Sequence, residues 1–307
     1  MSTTTKIEWT DYTWSPLRVR VKPDAAKIAK AKGYKSLIQI AEKMAGHVGP
    51  HCEHVSHGCD GCYAETNNHR CLPANGTGLP YDRRSRDLVD PFVDKKILSQ
   101  PLKWREPRRI FPMNQTDLFG DWWTTGQIAQ VWDVMRDSTR HTYQILTKRT
   151  ARAIDLLSPL TPLAHIHVGF SAENQDVFDS RWGMMARLSA AGWMVWCSYE
   201  PALGPIDMTR ALNGQYGRLS WVVVGGESGP GARPAHPQWF RNTRDQCIAA
   251  GVPFFFKQHG AWVSVSELAG AGKHYTFPDG ATVRRVGKKA AGAVLDGKEW
   301  KQFPDVK

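Results

Sequence analysis

Six short apolar runs separated by helix-patterned segments constrain the fold of this 307-residue chain more than any other feature. They lie at Arg109–Met113, Tyr143–Thr147, His165–Phe170, Trp193–Tyr199, Trp221–Val224 and Pro253–Lys257. Each is rich in β-branched and aromatic residues and reads as a strand. Their starts recur roughly every 22 to 34 residues, the length of a strand plus a crossover helix. Between them, Ile128, Val131, Trp132 and Met135 fall at i, i+3, i+4 and i+7. Phe178, Trp182, Met185 and Leu188 mark a second apolar stripe, and Pro237–Ala250 is a third helix, stopped by Gly251. Strands alternating with helices imply a parallel sheet, and runs that are apolar throughout imply helices on both faces. The expected fold is α/β: a TIM-like parallel (β/α) barrel, complete or incomplete, in preference to a doubly wound sheet. No G-x-G-x-x-G follows any strand, which argues against dinucleotide binding.

Two regions break the rhythm. Residues 16–50 are rich in Lys and Ala, hold one expected helix near Ser36–Ala45, and read as an N-terminal insertion. Residues 261–307 are short, Gly-punctuated and basic, and read as a C-terminal hairpin extension packed on a main body of residues 1–260.

A hydrophobic content of 41% with 22% charged residues excludes a disordered chain. No apolar run reaches membrane-spanning length and the first twenty residues hold no signal-peptide core, so a cytoplasmic protein without membrane contact is expected. The formal charge of +11 favours a polyanionic partner, nucleic acid first. The cations come in patches: Arg83-Arg84-Ser85-Arg86, Lys103-Trp104-Arg105 with Arg108-Arg109, Lys148-Arg149, and Arg284-Arg285 with Lys288-Lys289.

Three of the six cysteines are clustered as Cys52, Cys59 and Cys62, a C-x6-C-x2-C spacing. In a long chain without a signal peptide such clustering points to metal rather than to disulfides. Three thiolates suit a four-iron cluster that leaves one iron open, whereas a closed zinc site wants a fourth ligand. Cys71 and the histidines His47, His51, His54, His57 and His69 could supply one, so spacing alone leaves both metals open. Cys197 and Cys247 lie in apolar stretches and read as core.

Chemistry in parallel α/β folds gathers at the carboxyl ends of the strands. Here those ends carry Asn114-Gln115-Thr116-Asp117, Thr147-Lys148-Arg149, Ser171-Ala172-Glu173-Asn174, Ser198-Tyr199-Glu200-Pro201, Gly225-Gly226-Glu227-Ser228-Gly229 and Lys257-Gln258-His259. Such a set offers carboxylates for an amino group, cations for a carboxylate, and amides and hydroxyls for a ribose or a base edge. Gly225-Gly226 would let backbone approach a ligand closely.

Lys6-Ile7-Glu8-Trp9-Thr10-Asp11-Tyr12-Thr13-Trp14-Ser15-Pro16, the cysteine segment ending Cys62-Tyr63-Ala64-Glu65, and Ile145-Leu146-Thr147-Lys148-Arg149 resemble the phage-type three-Cys-motif protein family. So do Ser198-Tyr199-Glu200-Pro201, Gly225-Gly226-Glu227-Ser228-Gly229-Pro230, Phe254-Phe255-Phe256-Lys257-Gln258 and Leu295-Asp296-Gly297, which carries the resemblance over nearly the whole chain. That family resembles a divergent branch of the radical S-adenosylmethionine enzymes and is distantly similar to spore photoproduct lyase. The resemblance implies that Cys52, Cys59 and Cys62 ligate a 4Fe-4S cluster whose open iron binds S-adenosylmethionine. It also implies a 5′-deoxyadenosyl radical as the reactive species and an electron-donor protein as a partner. The first gap is longer than in the common C-x3-C-x2-C motif, and Gly61 replaces an aromatic residue. Both departures bear on the adenine contacts and leave three-thiolate ligation in place. On this reading Glu227 or Glu200 takes the methionine ammonium and Lys148 or Arg149 its carboxylate, with Lys148, Glu200 and Glu227 the candidate catalytic residues. Asn114, Asp117 and Ser171 serve ribose or substrate, and a nucleic-acid base is the expected substrate, for DNA repair or modification. A zinc-stabilised nucleic-acid-binding protein without catalysis is the competing expectation.

Overall fold

Each of the six apolar runs forms a strand, and helices fill the segments between them. In the computed structural model, which describes residues 2–70 and 76–305, the chain divides into two compact units, Met1–Ile145 and Leu146–Lys307.

The first unit contains β1 (Ser2–Thr4), β2 (Tyr12–Trp14), β3 (Leu17–Val21), β4 (Val48–Gly49), β5 (Val89–Val93), β6 (Arg109–Pro112) and most of β7 (Thr142–Thr147). β1 lies antiparallel on β2, β2 is parallel to β6, and β6 is parallel to β7. β2 has too few residues to show a period in the sequence. Its place is fixed by tertiary contact: Trp14 is fully buried and its indole donates to the Ile97 carbonyl at 2.8 Å. β3 pairs antiparallel with both β4 and β5. Its Leu17, Val19 and Val21 are buried while Arg18 and Arg20 point away, the alternation of a half-buried strand. The stretch read as an insertion therefore supplies two strands of a small separate sheet, completed by β5. The helix expected near Ser36–Ala45 is a 3-10 turn, Lys35–Leu37, running into the helix Ile38–Lys43. The helix Thr125–Asp137 starts at a capping box between Thr124 and Gln127 and buries Ile128, Val131, Val134 and Met135.

The second unit contains β8 (Ile166–Ala172), β9 (Met194–Tyr199), β10 (Leu219–Gly225) and β11 (Phe254–Gln258), successive parallel neighbours. All seven residues of β8 are buried, as they must be when both faces of a strand are covered. The helix Gln175–Ala190 is capped by the Asn174 side chain and buries Phe178, Met185 and Leu188. The helix Pro237–Ala250 ends on Gly251, whose φ of 62° closes it in the left-handed conformation.

The hydrogen-bonded order is β1-β2-β6-β7-β8-β9-β10-β11. Seven strands, β2 and β6 to β11, are parallel, so the fold is mixed α/β with helices flanking a parallel sheet. The order starts on β1 and ends on β11 without closing, so the closed form of the expected barrel is not reached. Among the described residues no strand after β11 joins this sheet. The chain turns instead into a three-stranded antiparallel sheet of β12 (Trp262–Ser264), β13 (Lys273–Thr276) and β14 (Thr282–Arg285), in the order β12-β14-β13. Among the described residues no helix is long and apolar enough to cross a membrane.

His167 on β8 sits in this buried sheet, and burial pulls its imidazole down from 6.5 to about 4. Above pH 6.5 the ring is neutral folded or unfolded and favours neither state. As pH falls, the unfolded chain binds a proton that the folded chain does not. Stability should therefore drop by on the order of 3 kcal/mol between pH 6.5 and about 4, less the contributions of other groups. Denaturant titrations of the parent and of His167→Gln across this window check it; a variant with the same pH slope as the parent would refute the assignment.

Candidate functional site

The three clustered cysteines belong to one loop of the first unit. Cys52 follows buried His51 in extended chain, and a 3-10 turn, His57–Cys59, carries the second thiol inward until Cys59 is buried. The Cys59 amide donates to the Ser56 carbonyl at 2.8 Å and the Cys62 amide to the Cys59 carbonyl at 3.1 Å, so Cys59 and Cys62 share one turn. The helix Tyr63–His69 begins directly after Cys62, whose carbonyl accepts from the Thr66 amide at 3.1 Å.

Tyr81 organises this loop. Its ring is 3% exposed; burial pushes the phenol well above its ordinary value, and the neighbouring Cys52 and Cys62 thiolates push it further. Its hydroxyl donates to the Gln115 carbonyl at 2.8 Å and its amide to Glu65 Oε1 at 2.8 Å. Glu65 Oε2 meets His54 Nε2 at 2.7 Å, and the His54 amide donates to the Tyr81 carbonyl at 3.1 Å. Asn68 clamps the other side, donating to the Leu79 carbonyl and accepting from the Thr77 amide, both at 2.7 Å. Glu53, His54, Glu65, Tyr81, Asp82 and Arg83 border a cleft of about 470 Å³. Arg86 grips Glu53 with two hydrogen bonds of 2.7 and 2.8 Å, and these with His51 hold its carboxyl at about 2 against the upward push of burial.

The end of β6 reaches the same loop. Met113 adopts φ of 59°, a left-handed conformation rarely taken by a bulky residue, and so turns the chain sharply into Asn114. The Asn114 carbonyl accepts from the Tyr63 hydroxyl at 2.6 Å, and its side chain accepts from Ser15 at 3.2 Å. Asp117 is buried and accepts from the Phe119 amide at 3.0 Å, so its carboxylate braces the turn that follows.

These thiols match the donor chemistry of an iron–sulfur cluster: three of them on the eleven residues from Cys52 to Cys62. Among the described residues no three His, Cys, Asp or Glu side chains already stand in a metal-holding arrangement. His51, His54, His57 and His69 each turn a ring nitrogen toward a carboxylate. Cys71 lies outside the described residues.

The strand ends of the second unit carry three carboxylates, each already matched with a cation. Glu173, 1% exposed, receives Lys148 at 3.0 Å and Arg181 at 3.3 Å; Arg181 also donates to the Ser171 carbonyl at 2.8 Å. Lys148, Ser171 and Glu173 are thus brought together. Glu200 takes the Lys257 ammonium on both oxygens, at 2.8 and 2.9 Å, and the Gln258 amide at 3.4 Å. Glu227 is held by Arg233 through Nε at 2.8 Å, Nη2 at 2.6 Å and the Arg233 amide at 2.8 Å. Arg149 precedes the helix Thr150–Leu157, and its amide donates to Thr147 Oγ1 at 2.9 Å.

The close approach that Gly225-Gly226 permits is taken up by protein. A Cβ on Gly226 would lie 2.0 Å from the His259 carbonyl oxygen, and one on Gly225 3.2 Å from Glu200 Oε1. Gly226→Ala must push β10 and the turn after β11 apart. We expect a loss of about 1–3 kcal/mol in chemical denaturation, the range for overpacking a tight site. An unchanged midpoint would show that the turn yields freely.

Sequence reasoning named Lys257 only as part of a strand end, without a role, and passed over Arg233, Arg181 and Tyr81. Lys257 had a signal, as the cation closing an apolar run. Arg181 had a weaker one, eight residues beyond Glu173 on the following helix. Nothing in the sequence ties Tyr81 to cysteines some twenty positions earlier.

The model of one protein family, described as a protein of unknown function (DUF5131), matches residues 38–304. No curated protein and no solved structure matches the chain.

Proposed function

The chain belongs to the DUF5131 family, and from its residues we propose that it is a radical S-adenosylmethionine enzyme acting on a nucleic-acid base. The observation that carries the proposal is the cysteine loop: Cys59 and Cys62 share one turn, and Cys52 lies seven residues before Cys59 on the same loop. On this reading Cys52, Cys59 and Cys62 hold a 4Fe-4S cluster on an incomplete TIM-like barrel. When bound, the cluster and S-adenosylmethionine supply one-electron cleavage of a sulfonium and hydrogen abstraction by the resulting carbon radical. The protein binds and orients. Tyr81, fixed through its hydroxyl and amide, holds the loop in place, and Asn114 ties Tyr63 to the end of β6.

In the second unit, Glu200 with Lys257 matches an amino-acid head group. Glu200 would hold the ammonium of such a head group and Lys257, displaced from Glu200, its carboxylate, so no charge would be left without a partner. Lys148 with Glu173 offers the same exchange, whereas Glu227, held by three hydrogen bonds from Arg233, is the least able to let its partner go. The charge of +11 supports a polyanionic substrate.

The test is iron and sulfide content after anaerobic purification, with electron paramagnetic resonance of the reduced protein with and without S-adenosylmethionine. A four-iron signal that shifts on adding S-adenosylmethionine is expected. Zinc without iron, even after anaerobic reconstitution, would overturn the proposal in favour of a zinc-stabilised nucleic-acid-binding protein.

A further inference from the structure

We propose that the three-stranded sheet β12-β14-β13 and the groove beside it form a binding surface for the phosphate backbone of single-stranded nucleic acid. This rests on the proposed function only for the identity of the polymer. The surface itself rests on how charge is sorted within residues 261–305.

β13 and β14 are antiparallel, and the register places Lys273 directly opposite Arg285. Like charges facing each other across two strands destabilise a sheet unless an anion lies between or above them. Among the described residues no carboxylate lies within ion-pair distance of Lys273, Arg285, Lys288 or Lys289. Three of the five acids of this segment are matched with other cations: Glu267 pairs with Arg241, Asp296 with Arg241 and Arg244, and Asp279 with His236. These three carboxylates are thus spent on cations other than Lys273, Arg285, Lys288 and Lys289.

Arg285 and Lys288 line a groove of about 860 Å³ whose other walls are Gly229-Pro230 and the loop from Leu268 to Ala271. The Arg285 guanidinium is steered there by the carbonyls of Gly229 and Pro230, which accept from Nη2 and leave its other N–H groups for a ligand. Under the loop wall lies a second cation: Arg284 is 4% exposed and gives Nη1 to the Gly270 carbonyl at 2.7 Å, yet its Nε and Nη2 meet no acceptor. Buried N–H groups of a charged side chain seldom go unmet. Along β13, two residues from Lys273 and on the same face, Tyr275 is 44% exposed, with its ring edge-on to Phe277 at 4.9 Å. A braced, exposed ring beside a row of cations is the arrangement on which bases stack while phosphates are neutralised.

The experiment measures binding of a fluorescein-labelled oligothymidylate of about 20 nucleotides to the full chain by anisotropy, as a function of salt. Lys273→Glu/Lys288→Glu reverses two exposed charges of the surface. We expect at least tenfold weaker binding and a salt slope smaller by about 1.4, the loss of two phosphate contacts to a single strand. Lys273→Arg/Lys288→Arg should bind as the parent does. Tyr275→Ala should weaken binding about fivefold or more with the slope unchanged, because stacking releases no counterions. Lys27→Glu/Lys30→Glu, two exposed charges on the helix Ala25–Ala31, serves as the charge-matched control and should stay near the parent. Parent-like binding by Lys273→Glu/Lys288→Glu, equal weakening by the control pair, or no binding by the parent would each overturn the inference. Iron content, read on the same samples, separates this from the proposed function: a protein that binds the strand here but takes up no iron overturns only the enzyme.

Discussion

Cys52→Ala, Cys59→Ala and Cys62→Ala, each made singly, should leave anaerobically reconstituted protein with almost no iron or sulfide. A cluster held by three thiolates loses a whole iron's protein ligand with each replacement, and four histidines near the loop already face carboxylates. The histidines of the loop are turned to Glu53, Glu65 and Asp60, and Glu53 is itself held by Arg86. The fold should survive at Cys52 and Cys62, which are partly exposed, and circular dichroism melts would verify this. Cys59 is buried, and its replacement by Ala removes a thiol from a packed turn, so Cys59→Ser serves as the closer isostere. Full iron retention in all three variants would end the cluster reading; retention in one would mean that the fourth ligand of a different metal site lies elsewhere. Cys197→Ala and Cys247→Ala are the contrasting pair. Burial raises both thiols, Cys247 to about 12, and neither should change iron content.

The second large effect is expected at Glu173. This carboxylate is almost wholly buried and answers two cations, Lys148 and Arg181. Removing the negative partner leaves Arg181, itself buried, with an uncompensated charge, a defect that costs about 3–5 kcal/mol in comparable sites. Lys148 is more exposed and can turn its ammonium to solvent, so it limits the damage only in part. Glu173→Gln should therefore lower the denaturation midpoint sharply with little change in slope. Glu173→Gln/Arg181→Met, which removes both charges, should recover much of that loss. A single variant as stable as the parent would show that the Glu173 cluster is not a structural element. If the single variant does not fold, recovery in the double variant still decides the question.

These two sites differ in how far the sequence revealed them. The cysteines stand out by spacing alone, three within the eleven residues from Cys52 to Cys62. Lys148, Ser171 and Glu173 could be placed at strand ends because the six runs carry enough apolar, β-branched residues to show where each strand stops. β2 and β3 were invisible for opposite reasons. β2 is a three-residue strand whose identity rests on the burial of Trp14 and on pairing with a strand nearly a hundred positions away. β3 does alternate, but its outward arginines gave the segment the composition of a solvated loop.

The sequence by itself determined the class of fold, the helices at Thr125–Asp137, Gln175–Ala190 and Pro237–Ala250, and the identity of the thiols. Each of these follows from local periodicity, capping or spacing, which act over a few residues and leave a legible pattern. Only the tertiary structure decided that the sheet stops short of closure, that Tyr81 stands among the cysteines, and which cation answers each carboxylate. Glu173 took Lys148, about 25 positions earlier, as well as its nearer neighbour Arg181, Glu200 took Lys257 across 57 positions, and Lys273 was set against Arg285 by the register of two strands. Ion pairs and buried rings are selected by where the packed backbone brings their atoms, and that distance is not encoded at any one position along the chain.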